Sequence, residues 1–345
     1  MTPERLPEAA QALYSELLDL LRGLDRAGRD LPVGSFVSKL IKERRYWYLQ
    51  ATGAGVRTQR YLGPESEELL ARMQEVERRR SELEPDRVRA REAHDMLVAA
   101  GAYRDSAVGT RVIELLSASG LFRAGAVLVG TRAFGILANS LGVRSSMLAR
   151  TQDIDVAVDR QTAVAVRAEP GGAVTDWLTG SEPPFLPVPG LDPRQASTSF
   201  KLRGREHRID FLTPLHGPDR ERPVELPALG LAAWPLRLLD FLIEDPIEAA
   251  LVGSQPILVP VPDPARYALH KLWVARRRPA SETVRARKDR EQAALLLATL
   301  LEDRPELLDR AMLALAAHRH ARAPIRAELE RLPVDGGKEL AQRLP

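Results

Sequence analysis

The stretch Ala126-Val127-Leu128-Val129-Gly130-Thr131, followed further on by Asp153-Ile154-Asp155-Val156-Ala157-Val158-Asp159, decides the fold. A short continuous apolar run that ends in Gly-Thr is what a buried strand gives as it enters a tight turn. In the next segment, Arg132–Leu141, the residues Phe134, Ile136, Leu137 and Leu141 are spaced to line one side of a short helix. Side chains two apart on a strand share a face, so Asp153 and Asp155 point the same way while Ile154, Val156 and Val158 point into a core. Two carboxylates on one face of a buried strand repel each other, and a divalent cation is the usual remedy.

Mg2+ prefers hard carboxylate oxygens and shares its shell with substrate phosphates. Two such ions about 3.5–4 Å apart can activate an attacking hydroxyl and neutralise a leaving pyrophosphate. The turn at Gly130-Thr131 lies just before a helix N-terminus, where free N–H groups and the helix dipole favour a phosphate. Asp-x-Asp alone is also what a solvated strand end looks like; the strand–Gly-Thr–helix element upstream favours the metal alternative. A third carboxylate lies in Glu206-His207-Arg208-Ile209-Asp210-Phe211-Leu212, which with Thr198–Arg203 and the Gly204-Arg205 turn predicts a hairpin. On its second strand Arg208 and Asp210 share one face, and His207, Ile209 and Phe211 the other. Three carboxylates converge if the sheet sets Asp210 beside Asp153 and Asp155; otherwise Asp210 is an ordinary strand residue.

Gly-Thr on a strand–turn–helix, then Asp-Ile-Asp, then a later strand with a third Asp resembles the nucleotidyltransferase superfamily typified by DNA polymerase β. That superfamily usually carries Gly-Ser or Gly-Gly where this chain has Gly130-Thr131, and the interval from Gly130 to Asp153 is long for it. The long interval, with Val259-Pro260-Val261-Pro262 and Tyr267-Ala268-Leu269-His270-Lys271-Leu272 downstream, is similar to one bacterial branch of nucleotidyltransferase-like proteins, over about Val108 to Leu301. The resemblance implies transfer of a nucleoside monophosphate from an NTP such as ATP to an acceptor hydroxyl, with Mg2+ or Mn2+ as cofactor. By it, Asp153, Asp155 and Asp210 are expected to be the catalytic metal ligands, with Gly130, Thr131 and Arg132 holding phosphates. Lys271 and Lys288, on helices like those of the family's partner domain, are candidates for the triphosphate; a solvated basic face is the alternative for both.

Toward the N-terminus, Pro7–Leu24 carries Leu13, Leu17, Leu18, Leu20, Leu21 and Leu24, an amphipathic helix that needs a partner. Arg44–Gln50 and Val56–Leu62 read as strands of a hairpin about Thr52-Gly53-Ala54-Gly55. Arg44, Arg45, Arg57 and Arg60 interleave there with Tyr46, Trp47, Tyr48 and Tyr61, as in a surface that binds RNA. An aromatic face packed on neighbouring helices is the other reading. A long charged helix follows, roughly Glu65–Ala100, divided near Pro85. Its Arg78-Arg79-Arg80 run lies among glutamates and predicts a solvated face.

On the C-terminal side, Glu169–Gly172 and Ser181–Pro193 are Pro- and Gly-rich loops placed to cover part of the site. Leu226–Leu242 reads as buried connecting structure and Gln255–Val261 as a strand. Asp263-Pro264 opens a helix with Asp263 as its N-cap. His318 and His320 lack a nearby third ligand and read as surface residues.

With 345 residues the chain has ample length for a large core. It contains no cysteine, which excludes disulfides and thiolate zinc sites, and no apolar run long enough to span a membrane. A cytoplasmic protein is expected. The net charge of +3 is carried mostly by arginine, which suits a polyanionic partner but also reflects composition alone. The expected architecture is α/β (α+β): a helical and hairpin module over 1–103, a small mixed-sheet core over 104–262, and a helical domain over 263–345. The competing class is a binding protein that keeps the fold without turnover and uses the arginine-rich hairpin for nucleic acid. Three mutually repelling carboxylates favour the enzyme.

Overall fold

A computed structural model describes residues 3–53, 56–144, 152–160, 173–190, 196–218 and 222–344, with the side chains of 51–58 excepted. The expected loop 169–172 and the side chain of Arg57 lie outside the described residues.

The chain opens with α1 (Glu8–Gly28), β1 (Ser35–Ile41), β2 (Arg44–Gly53), β3 (Val56–Pro64), α2 (Glu67–Glu82) and α3 (Glu84–Ala99). Tyr14, Leu17 and Leu21 recur at helical spacing along α1 and are buried with Ala90, Ala93 and Leu97 of α3, which is the partner the amphipathic pattern required. Ser66 caps α2 by accepting from the Leu69 N–H, and Pro85 sits in the first turn of α3, where its missing N–H leaves no bond unmade. The expected hairpin is part of a three-stranded antiparallel sheet, because Ser35–Ile41 adds to β2. That strand is mostly exposed, so it carries no alternation of apolar residues to announce it.

The central region runs α4 (Ala107–Ala118), β4 (Val127–Val129), α5 (Gly130–Ser140), β5 (Asp153–Ala157), α6 (Val174–Thr179), β6 (Phe185–Pro187), β7 (Ser199–Leu202), β8 (Arg208–Pro214), β9 (Val224–Leu226), β10 (Leu231–Leu236), α7 (Leu239–Ile243), β11 (Ile247–Leu251) and β12 (Ile257–Val261). Among the described residues the main sheet has the order β4-β5-β8-β10-β9, with β7 also on β8 and β6 on β7. It is mixed: β5, β8 and β10 are parallel, and β4 runs against β5. The outer edge of β8 is shared, since β7 pairs with Arg208–Asp210 and β10 with Leu212–Pro214. Leu226–Leu242 therefore supplies strands rather than connecting structure alone, and β6 forms inside the expected loop.

Ile154, Val156, Ile209 and Phe211 are fully buried on one face of this sheet. By alternation and register, Asp153, Asp155, Arg208, Asp210, Leu212, Trp234 and Leu236 share the other face. The C-terminal helices are α8 (Pro264–Arg277), α9 (Thr283–Asp303), α10 (Pro305–Leu315), α11 (Arg319–Leu329) and α12 (Gly337–Arg343). The Asp263 carboxylate accepts from the N–H groups of Ala265 and Arg266, the cap its sequence position predicted. One continuous hydrophobic core joins the sheet to these helices, from Val112 to Leu344. No helix among the described residues is long and apolar enough to cross a membrane.

Candidate active site

The parallel pairing of β5 with β8 sets Asp155 directly opposite Asp210, with Asp153 two residues along beside Arg208. Asp153 is exposed and Asp155 half-buried. The Asp155 carboxyl is pushed up to about 6, by burial first and then by the charges of Asp210 and Asp153, against the opposing pull of Lys271. Asp210 accepts a hydrogen bond from the Ser199 hydroxyl and one from Arg208 Nε at 2.7 Å, while Arg208 Nη2 donates to Ser199 Oγ at 2.7 Å.

Against Asp155 lies the turn that ends β4. Gly130 has φ +70°, and a Cβ built there would stand 2.0 Å from Asp155 Oδ2. Both facts require glycine: the left-handed backbone and the closeness of the carboxylate. The turn leads into α5, an eleven-residue helix whose first N–H groups have no side-chain cap, the arrangement that suits a phosphate.

The C-terminal helices bring two lysines to this turn. Lys288 Nζ donates to Thr131 Oγ1 at 3.3 Å. Its ammonium is lowered in pKa by burial and then by the neighbouring Lys271 charge. Lys271 Nζ donates to the buried Asp289 at 2.8 Å, and Arg278 Nε donates to the other Asp289 oxygen at 2.6 Å. Tyr267, one turn before Lys271 on α8, donates from its hydroxyl to the Gly130 carbonyl at 2.8 Å. Burial holds its pKa well above that of an ordinary phenol, so it remains a donor.

Tyr267, Asp289, Arg208 and Ser199 were not among the expected site residues. The i, i+4 spacing of Tyr267 and Lys271 was a visible signal for the first, because it puts both on one helix face. Asp289 had none, since its partners come from a different helix and from the turn beyond it.

Arg132 requires a correction. Its side chain is fully buried and forms an ion pair with Asp105, and its Nε donates to the Asp153 carbonyl at 3.2 Å. That guanidinium braces β5 from within the core and is not placed to meet a phosphate. Gly130 and Thr131 form the turn itself, and Thr131 Oγ1 meets Lys288.

Beyond Asp210, where β8 passes from β7 to β10, a cavity of about 820 Å3 opens on the same sheet face. Its lining includes Asp155, Asp210, Arg208, Arg222, Trp234 and Leu236.

The N-terminal sheet is separate in construction. Arg44, Arg45 and Arg60 are exposed, and Arg45 lies 3.6 Å from Glu65. Tyr46 and Tyr48 both pack against the Tyr61 ring, with centroids 6.3 and 5.5 Å away. The three tyrosines thus cluster with one another, with Tyr61 54% exposed, while Trp47 Nε1 donates to Glu65 at 3.0 Å.

Among the described residues, no group of three or more His, Asp or Glu side chains is gathered tightly enough to hold a metal ion. The acids that come together are Asp155 and Asp210, with Asp153 adjacent. Their chemistry nevertheless fits a hard cation. All the donors are carboxylate oxygens, and Asp155 is held against the charge of its neighbours; Ser199 and Arg208 both bond Asp210 Oδ1, so its Oδ2 is the oxygen a cation would meet.

The model of a protein family described as "Nucleotidyltransferase" matches residues 108–317, more than half of the chain. No curated protein and no solved structure matches.

Proposed function

The chain belongs to this nucleotidyltransferase family, and from that premise we propose that it transfers a nucleoside monophosphate from an NTP to an acceptor hydroxyl, with RNA as the acceptor. The observation that carries the proposal is the pairing of Asp155 with Asp210 in register, flanked by the Gly130-Thr131 turn and by Lys271 and Lys288.

In this reading the uncapped N–H groups at the start of α5 and the Thr131 hydroxyl receive the β- and γ-phosphates. Lys271 and Lys288 approach the same place and offset the triphosphate charge. Asp289 holds Lys271 in position, and its own negative charge is shared with Arg278. Mg2+ or Mn2+ held by Asp153, Asp155 and Asp210 would supply charge neutralisation at the reacting phosphate and acidify the acceptor hydroxyl. Asp210, the acid farthest from the turn across the sheet, would accept that hydroxyl's proton as its oxygen attacks the α-phosphorus in line, the α–β phosphoanhydride bond breaks and pyrophosphate leaves. Arg208 orients Asp210 through the hydrogen bond to its Oδ1. The exposed arginines of the N-terminal sheet support contact with RNA phosphates.

The test is transfer of label from each α-labelled NTP to total cellular RNA, with and without Mg2+. Label on RNA that depends on both the metal and Asp155 is the expected result. Label on protein instead would move the acceptor to another class, and absence of transfer to any acceptor would favour a binding protein with this fold.

A further inference from the structure

The cavity beyond Asp210 has a use that the phosphate side of the site does not supply. We propose that it seats the 3′-terminal nucleoside of the acceptor RNA, with its base stacked on Trp234. The inference rests on the nucleotidyl-transfer reading above, whose acceptor it places.

Four observations converge on that occupant. First, Trp234 and Leu236 are large apolar side chains left exposed, at 40% and 36%, and they lie on the carboxylate face of the sheet. Trp234 is paired in register with Leu212, so an apolar floor begins two residues from Asp210 along β8. An exposed indole is the side chain best suited to stack on a base.

Second, the volume of about 820 Å3 lies within the range of small-molecule sites, about 300–1,000 Å3. Third, the cavity wall carries two arginines. Arg208 uses Nε and one terminal nitrogen on Asp210 and Ser199, and its fork has five N–H donors in all. Arg222 is exposed at the wall. Cations beside an apolar floor suit a phosphodiester attached to a base; a tyrosine side chain from a protein would match the floor alone and make no use of Arg222 or of the N–H donors that Arg208 has left over from Asp210 and Ser199. Fourth, Asp155 and Asp210 line the same cavity, so a terminal ribose held there lies next to the acid placed to take its hydroxyl proton.

The experiment uses the full chain and a 5′-fluorescein-labelled ribotetranucleotide with a free 3′-hydroxyl, its affinity measured by anisotropy. Binding of ATP in the presence of Mg2+ is measured in parallel by calorimetry. Trp234→Ala should weaken tetranucleotide binding by about tenfold to a hundredfold, while Trp234→Phe, which keeps a ring, should lose about threefold or less. ATP affinity and Tm should stay at wild-type values in both variants. Arg222→Ala should lower the slope of log affinity against log salt by about 0.7, the value for one neutralised phosphate on a single strand.

Wild-type tetranucleotide affinity in Trp234→Ala overturns the seat. So does label transfer that goes to a protein hydroxyl in a chain that does not bind the tetranucleotide. The two readings fail separately. Transfer to RNA that is indifferent to Trp234 removes the seat and leaves the transferase. Tetranucleotide binding that depends on Trp234 without any transfer removes the transferase and leaves the seat.

Discussion

On the Gly130 side of the Asp155–Asp210 pair, the polar groups are tied to one another: Lys288 to Thr131, Lys271 to Asp289, Tyr267 to the Gly130 carbonyl. On the Trp234 side the wall is largely apolar, the strand edge changes partner, and a cavity is left between them. The two sides meet at the same carboxylates, and in the reading proposed above they serve different demands. A triphosphate is the same in every NTP, so a cradle for it can be fixed when the chain folds. An acceptor must be chosen, and an open apolar floor with cations at its wall can discriminate by shape.

The largest effect is expected where the two sides meet. Asp155→Asn should lower turnover by on the order of 10³-fold, the upper end for removing one group that stabilises transition-state charge. The same variant should melt higher than wild type in EDTA, because the ionised carboxyl is the form the fold disfavours. The sign follows from the raised pKa. Stability of the wild type falls as pH rises from the ordinary carboxylate range to about 6 and is then constant, and the variant lacks that fall. Undiminished turnover in the purified variant would break the comparison outright.

Next in size is Gly130→Ala, which tests whether the cradle is as tightly fixed as it looks. The left-handed backbone alone costs roughly 1–2 kcal/mol, before the added methyl meets Asp155. A lower Tm and a loss of ATP affinity are expected, with tetranucleotide binding at the Trp234 side retained. Should calorimetry give unchanged ATP binding, the turn is not a phosphate cradle.

A smaller effect separates charge from geometry. Burial and Lys271 lower the pKa of Lys288, so its positive charge is lost at lower pH than in an ordinary lysine. ATP affinity should therefore decline as pH rises through that depressed value. Lys288→Arg keeps its charge to higher pH and should move the decline upward. Identical pH profiles would mean that Lys288 does not meet the nucleotide.

The smallest effect belongs to the N-terminal sheet. Replacing Arg44, Arg45 and Arg60 together by Ala should weaken binding of a long RNA a few-fold and reduce the salt slope by about 0.7 for each phosphate that is no longer neutralised. ATP binding should not change. An unaltered slope would make these arginines an ordinary solvated surface.

How far the sequence discloses this arrangement follows from which interactions are local. The strand–turn–helix at Ala126–Ser140, the shared face of Asp153 and Asp155, and the Asp263 cap are legible because each is set by residues a few positions apart. The adjacency of Asp155 and Asp210 is only a condition at the level of sequence, since strand order is not encoded in either strand. β10 is hidden because Leu231-Ala232-Ala233-Trp234-Pro235-Leu236 neither alternates nor lacks proline, and its pairing with β8 ends as the chain turns toward α7. β11 is equally obscure, since Ile247-Glu248-Ala249-Ala250-Leu251 has the composition of a helix and is held extended by β12. Arg132 misleads for a related reason. An arginine after a Gly-Thr turn looks like a phosphate ligand until Asp105, from the segment that precedes α4, is seen beside it.

The hydrogen bond from Tyr267 to the Gly130 carbonyl also has a consequence for the order of events in binding. A trans peptide is planar, so its carbonyl and the following N–H point in opposite directions. By fixing the Gly130 oxygen, a phenol 137 positions away fixes the bearing of the Thr131 N–H as well. That dihedral freedom is given up during folding, so under the proposed function a nucleotide would meet a donor already aimed and lose less of its affinity to ordering the protein.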